Sequence, residues 1–243
     1  MKHSTLPLLE YTIFDDALAS IDYTQKQLIT TINQYSYCIA ENDLDFKKAL
    51  QNSDILLPDG VGIVIAAKLL KKQKIKKIAG ADIHQYMLEE VNKNSGTCMY
   101  MGASEDTLMK IKERVALEYP NIRVACYSPP FKPEFSKSDN DAMIAAVNVF
   151  QPDVLFVGMT APKQEKWSHT NKKKLDTKTI CAIGAVFDFY AGTVERPSQF
   201  WINSQLEWFI RLIKEPKRMW KRYLYYGPFF LFVLLKVMLK RKK

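Results

Sequence analysis

Between about residues 28 and 190, short β-branched or apolar runs alternate with longer stretches of helical periodicity. A parallel sheet with crossover helices imposes this pattern on a chain. Residues 54–57, 97–101, 122–126, 154–157 and 179–183 read as strands, each followed by glycine, proline or a polar turn. Helices are expected between them, over residues 61–70, 105–118, 140–150 and 163–174. The fold class is therefore α/β, a mainly parallel sheet flanked by helices. In open sheets of this kind ligands bind beyond the carboxyl ends of the strands, so the loops after the strands are where chemistry is expected.

The pattern changes after the last strand. Residues 198–214 are helical, aromatic and basic; the periodicity breaks at Glu215-Pro216, resumes over 217–226 and breaks again at Gly227-Pro228. Two units are expected: an α/β domain over residues 1–197 and a helical appendage over 198–243. The longest apolar stretch, 229–235, ends at Lys236 before Val237-Met238-Leu239. That is short of the roughly 20 residues a membrane-crossing helix needs, so the segment is expected to lie on a membrane rather than cross it. The first ten residues show no secretory signal pattern, and the expected location is the cytoplasm.

Composition sharpens this division. With 243 residues, 47% of them hydrophobic, the chain can bury a substantial core, and with 9 Gly and 11 Pro it fits neither a disordered nor a collagenous class. The net charge of +9 is unevenly spread: residues 211–243 hold 11 Lys and Arg against one acid, whereas the first 210 hold 24 bases and 25 acids. A near-neutral body with a basic end implies an anionic partner for that end, such as phospholipid head groups or diphosphates. Trp220, Tyr223, Tyr225, Tyr226, Phe229, Phe230 and Phe232 are interleaved with the bases, the mixture of an interfacial amphipathic helix. An RNA-binding tail and a plain solvated face are the competing readings. Cys38, Cys98, Cys126 and Cys181 form no Cys-x-x-Cys pair and read as reduced, mostly core thiols.

Several strand-end loops carry candidate residues. Asp59, in Pro58-Asp59-Gly60, is placed to act as a general base, or is a turn or helix-cap aspartate. Gln164, Glu165 and Trp167 open a helix after a strand; their amide, carboxylate and indole suit sugar hydroxyls, and the alternative is a capped helix with an amphipathic tryptophan. Asp188 sits among aromatics directly after the last strand, as a ribose or base contact or as a paired core acid. Gly102-Ala103-Ser104 offers a weak phosphate approach or simply a serine-capped helix. Asp43-Leu44-Asp45 and Asp139-Asn140-Asp141 precede helices, so helix-start aspartates explain them better than a metal does. His3, His84 and His169 lack ligand spacing, and no metal site is expected. Arg218 and Arg222 are one helical turn apart, and Arg211 joins their face if the bend at Pro216 is slight; together they suit a diphosphate clamp. The lysines from Lys68 to Lys77 read as a solvated helix end and loop.

Thr31-Ile32-Asn33, Leu57-Pro58-Asp59-Gly60-Val61-Gly62, Ile78-Ala79-Gly80-Ala81-Asp82, the Gly158 to Trp167 stretch, the Gly184 to Gly192 stretch, and Leu206-Glu207-Trp208 through Arg218 occur in one order along the chain. In that order they resemble the WecG/TagA/CpsF family, glycosyltransferase family 26. The resemblance implies a Rossmann-like core of the GT-E-like kind with a C-terminal membrane appendage. It implies an inverting, metal-independent transferase with no cofactor, moving an N-acetylmannosamine-type or other hexose from a UDP-sugar. The acceptor would be a sugar, GlcNAc above all, on a polyprenyl diphosphate, in cell-surface polysaccharide or teichoic-acid-type synthesis. The enzyme would be peripheral on the inner face of the membrane, bound to its anionic surface and not to nucleic acid, and a homo-oligomer is compatible with it. By this analogy Asp59 is the catalytic base, Thr31, Asn33 and Gln164 contact the donor sugar, and Asp188 lies in the nucleotide pocket. Arg211, Arg218 and Arg222 would close over the diphosphate. Lys77 stands where the family carries arginine, keeping the charge without the bidentate fork. Rival classes fare worse: no Gly-x-Gly-x-x-Gly follows the first strand, as a dinucleotide-binding oxidoreductase would require, and a non-catalytic membrane- or RNA-binding protein would not need Asp59.

Overall fold

The computed structural model describes residues 3–194, 201, 204 and 207–240. Among the described residues eight strands form two sheets: β1 (Thr5–Leu8) and β2 (Tyr11–Phe14) make an antiparallel hairpin, and β3 (Gln27–Ile32), β4 (Ile55–Pro58), β5 (Thr97–Gly102), β6 (Arg123–Tyr127), β7 (Val154–Gly158) and β8 (Thr179–Ala182) make a six-stranded sheet. Its order is β4-β3-β8-β7-β5-β6, and every pairing is parallel. All six carboxyl ends therefore open on the same edge, as the alternating pattern implies.

The strands β5, β7 and β8 read clearly because they are buried along their whole length and covered on both faces, so that apolar residues run on rather than alternate. Along β5, Cys98 and Tyr100 face one layer and Met99 and Met101 the other. The first layer is closed by α4 (Gly80–Lys93), α5 (Glu105–Glu118) and α8 (Ala185–Tyr190), through Ile83, Met87, Ile111, Val115 and Phe187. The second is closed by α6 (Lys137–Phe150) and α7 (Lys163–Asn171), through Met143, Val147 and Trp167. A third cluster joins the hairpin to α1 (Gln34–Ala40), α2 (Leu44–Gln51) and α3 (Val61–Lys71). All four cysteines are free thiols and three are buried.

The sequence pattern does not mark the hairpin, β3, α1, α2 or α4. The hairpin buries Leu6, Leu8, Tyr11 and Ile13 while Thr5 and Thr12 are exposed, a four-residue alternation too short to stand out. The helix α4 starts where the Asp82 carboxylate accepts the Ala79 N–H at 2.8 Å.

The expected domain boundary at 197/198 lies outside the described residues. Beyond it run α9 (Glu207–Lys214) and α10 (Pro216–Trp220), then a π-helical turn over Lys221–Tyr225 that continues into α11 (Tyr226–Lys240). The break at Glu215-Pro216 is as expected, with Pro216 in the first turn of α10, where its missing N–H costs nothing. The break at Gly227-Pro228 does not occur. Tyr226 N–H donates to the Lys221 carbonyl, five residues back, and this wider turn makes room for the Pro228 ring where a tight helix would clash. One continuous helix of 20 residues, 221–240, results; with a mean hydropathy of 1.3 it is long and apolar enough to cross a membrane by length and composition. This corrects the length inferred from residues 229–235. In this structure its inner face packs on α1 and α3: Phe230 and Leu234 are each 1% exposed within the third cluster.

Candidate active site at the carboxyl edge of the sheet

The strand-end loops and the tail enclose a cavity of about 1180 Å³. Thr31, Asn33, Asp59, Lys77, Gln164, Asp188, Arg211 and Arg222 all line it. Of the residues to which the family resemblance gives a role, Arg218 is not placed there; its backbone belongs to α10 and its side chain lies outside the described residues.

Asp59 follows β4 directly and is half-buried. Its N–H donates to the Ile32 carbonyl at 2.8 Å, extending the β3–β4 pairing by one step and fixing the residue in place. The next residue, Gly60, takes φ +112° and occupies the N-cap of α3. Asp59 therefore precedes the cap, and the helix-cap reading of it gives way. A side chain at position 60 would be strained by that φ and would also meet the Gln34 Oε1 at 3.1 Å.

Thr31 ends up beside this turn on β3. Asn33 caps α1, its Oδ1 accepting the N–H groups of Tyr35 and Ser36, both at 3.0 Å. With the oxygen committed, only its NH2 group remains to donate to a ligand.

Gln164 is more constrained still. It is 5% exposed, and its Oε1 accepts from Met159 N at 3.2 Å and Gly184 N at 3.0 Å, while Nε2 donates to Glu165 Oε1 at 2.9 Å. One side chain thus ties the β7–α7 loop to the β8–α8 loop. Gly184 must be glycine for this approach, since an added Cβ would lie 2.2 Å from Gln164 Oε1. Glu165 is 3% exposed; burial pushes its carboxyl up to about 7, against the opposing pull of its own backbone N–H, of Gln164 and of Arg222. Trp167 does not serve the site. Its indole N–H donates to Asn140 Oδ1 at 2.9 Å and its ring fills the second layer, so the sugar-recognition reading of it is corrected to core packing.

Asp188 reaches the cavity from the first turn of α8. Ser104 caps α5, accepting from Thr107 N at 3.3 Å, and Asp43 and Asp139 start α2 and α6 as their spacing suggests. Neither aspartate lines the cavity. His84 is buried and bonded to Tyr100 Oη at 2.7 Å, and burial drives its imidazole down to about 3. Among the described residues no group of three or more His, Cys, Asp or Glu gathers to hold a metal ion.

The tail completes the wall. The Arg222 guanidinium lies 4.4 Å from the centre of the Tyr35 ring, and that of Arg211 lies 5.2 Å from the Phe189 ring. Both are cation–π distances. Arg211 Nε is buried without a hydrogen-bond partner among the described residues. Together with Lys77, these side chains bring three cations to a cavity that also holds Asp59. Tyr35 and the Pro129-Pro130-Phe131 rim are cavity residues that no motif marks in the sequence.

The model of the glycosyl transferase WecG/TagA/CpsF family matches residues 7–243. The chain belongs to that family. Among its curated relatives, an N-acetylglucosaminyldiphosphoundecaprenol N-acetyl-beta-D-mannosaminyltransferase of Bacillus subtilis (strain 168) is 32% identical, covering 96% of this chain and 92% of its own. Proteins of the same description from Bacillus spizizenii and Staphylococcus aureus (strain MW2) are 28% and 24% identical over 90% of this chain, and over 87% and 84% of their own lengths. Family membership makes this protein a glycosyltransferase, and the cavity at the carboxyl edge is its candidate active site.

Proposed function

We propose that this protein transfers an N-acetylmannosamine-type hexosyl group from a UDP-sugar to GlcNAc on a polyprenyl diphosphate, with inversion and without a divalent metal. The observation that carries the reading is the meeting of one strand-end carboxylate, Asp59, with Lys77, Arg211 and Arg222 on a single cavity. The relatives' printed names supply the sugar and the lipid carrier.

In the proposed step the acceptor hydroxyl oxygen attacks the anomeric carbon of the donor as its proton passes to the Asp59 carboxylate. The bond from that carbon to the phosphate oxygen breaks through an oxocarbenium-like state, and the electron pair leaves with UDP. The leaving diphosphate needs positive charge that is already in place, and Lys77, Arg211 and Arg222 supply it. Asp188 holds the nucleoside, and Thr31 and the NH2 group of Asn33 hold the donor sugar.

The appendage brings the enzyme to its lipid substrate. On the outer side of α11, Phe229, Leu231, Phe232, Leu235 and Leu239 are exposed, with Lys236 and Lys240 among them. In this proposal the face binds an anionic bilayer surface, with the cavity beside the membrane on its cytoplasmic side.

The test is UDP release by the purified protein on liposomes carrying prenyl-diphosphate GlcNAc, with a panel of UDP-sugars, with and without EDTA. Release that needs the acceptor and resists EDTA supports the proposal. Release abolished by EDTA contradicts the metal-free step, and no release with any UDP-sugar contradicts the donor assignment.

A further inference from the structure

Glu165 lines the cavity and is 3% exposed, yet only one of its oxygens is served. Oε1 accepts from Gln164 Nε2 at 2.9 Å; Oε2 is buried with no hydrogen-bond partner among the described residues. A buried carboxyl oxygen left without a donor is costly, and an orphan on the wall of a ligand-sized cavity is accounted for when the ligand brings the donor. The neighbouring Gln164 is in the opposite position. Both lone pairs of its oxygen are taken by Met159 N and Gly184 N, and one of its two N–H donors by Glu165.

The chemistry of the missing donor is restricted. A carboxylate oxygen repels a diphosphate, which the cations Lys77, Arg211 and Arg222 suit instead, and it accepts from a hydroxyl. We infer that these adjacent residues divide the work: Glu165 Oε2 accepts a hydrogen bond from a hydroxyl of the transferred sugar, and Gln164 is a positioning residue that holds Glu165 and the two loops in place. The inference rests on the UDP-sugar reading above and moves the sugar contact expected of Gln164 one residue along the chain.

Glu165→Gln tests it, because the variant keeps the shape and an oxygen for Gln164 while placing NH2 where Oε2 stands. Donor KM and kcat are measured at saturating acceptor and at about pH 8, above the value of about 7 to which burial raises the Glu165 carboxyl, so that Oε2 is an acceptor, with calorimetric affinities for UDP and for the UDP-sugar that the wild type turns over. The expected result is unchanged affinity for UDP, unchanged kcat within about twofold, and a donor KM raised roughly tenfold or more, the scale of a hydrogen bond to a charged group. Donors lacking one sugar hydroxyl each extend the test: the analogue that weakens binding to the wild type should bind Glu165→Gln no worse than the full donor does. Wild-type KM in Glu165→Gln overturns the inference, as does a fall in kcat at constant KM, which would put Glu165 in the chemical step. If Glu165→Gln does not fold, Glu165→Asp makes the same comparison with the oxygens withdrawn by one methylene. A wild type that neither binds UDP nor turns over any UDP-hexosamine defeats the donor assignment, and this inference with it; normal wild-type turnover with an indifferent Glu165→Gln defeats the inference alone.

Discussion

Arg222 lies over the ring of Tyr35, its guanidinium carbon 4.4 Å from the ring centre. One partner belongs to the tail and the other to the first turn of α1, whose cap is Asn33, so the contact fastens the appendage to the cavity wall. Tyr35 also meets Tyr226 edge-on at 5.1 Å. A cation–π contact of this kind is worth about 0.5–2 kcal/mol. Tyr35→Ala should therefore weaken UDP affinity by a few-fold up to about 30-fold and leave the melting temperature of the core almost unchanged, because Tyr35 is only half-buried. Calorimetric titration with UDP and a thermal melt measure the two effects; unaltered UDP affinity would mean that the contact has no part in presenting Arg222.

Phe230 anchors α11 through an edge-on contact with Tyr37 at 5.2 Å. Truncating a buried phenylalanine costs about 3–5 kcal/mol when its surroundings stay put. Lifting the helix is the cheaper response, since Phe230 and Leu234 are the only fully buried side chains among the described residues 221–240. Phe230→Ala should thus speed tryptic cleavage at the tail lysines while the sheet domain resists. A cleavage rate equal to the wild type would show that the helix is held by other contacts.

Gly184→Ala should damage activity more than stability. The added Cβ would lie 2.2 Å from Gln164 Oε1 and 2.5 Å from the Met159 carbonyl, so the clasp between the two loops must open. Overpacking of this sort costs about 1–3 kcal/mol, which a domain of this size survives. The expected outcome is a folded protein by circular dichroism whose donor kcat/KM falls at least tenfold.

Two buried groups give stability opposite dependences on pH. His84 titrates near 3 in the folded chain against an ordinary value of 6.5, owing first to burial and then to the nearby Arg114. The unfolded chain then binds more protons between these values, so this contribution is whole above about pH 6.5 and is lost as pH falls toward 3. Glu165 titrates at about 7 against an ordinary 4.5, so its contribution is whole below about pH 4.5 and is lost as pH rises through 7. Arg222 faces it from the tail, and on α2, packed against α7, Asp43 is paired with Lys166 at 3.0 Å. Thermal melts from pH 5 to 8 should show Glu165→Gln gaining on the wild type as pH rises. An equal difference at every pH would mean that the Glu165 carboxyl titrates normally.

How far these features can be read from the sequence follows from how local their causes are. The strands β5, β7 and β8 stand out because burial on both faces makes each an unbroken apolar run, and Asp59, Asp188 and Ser104 are placed simply by following a strand. The reading fails where the cause is distant. One of the two N–H groups that Gln164 Oε1 accepts, that of Gly184, comes from a loop 20 residues further on, and Trp167 finds its partner on α6; neither pairing leaves a local mark. Tyr35 has no signal because its role is set by a tail nearly the whole chain away. Gly227-Pro228 misleads for a different reason: the dipeptide does carry a break signal, and a π-helical turn absorbs it.

If Asp59 takes the acceptor proton in a cavity that holds UDP by other means, its loss strikes turnover and spares UDP binding. The most direct test is acceptor-dependent UDP release by Asp59→Asn on liposomes, read beside the affinity of the same variant for UDP. The expected result is UDP affinity equal to the wild type and turnover lowered by about 10²–10⁴-fold, the usual contribution of a positioned general base. Turnover near the wild-type rate, with UDP bound normally, would contradict it.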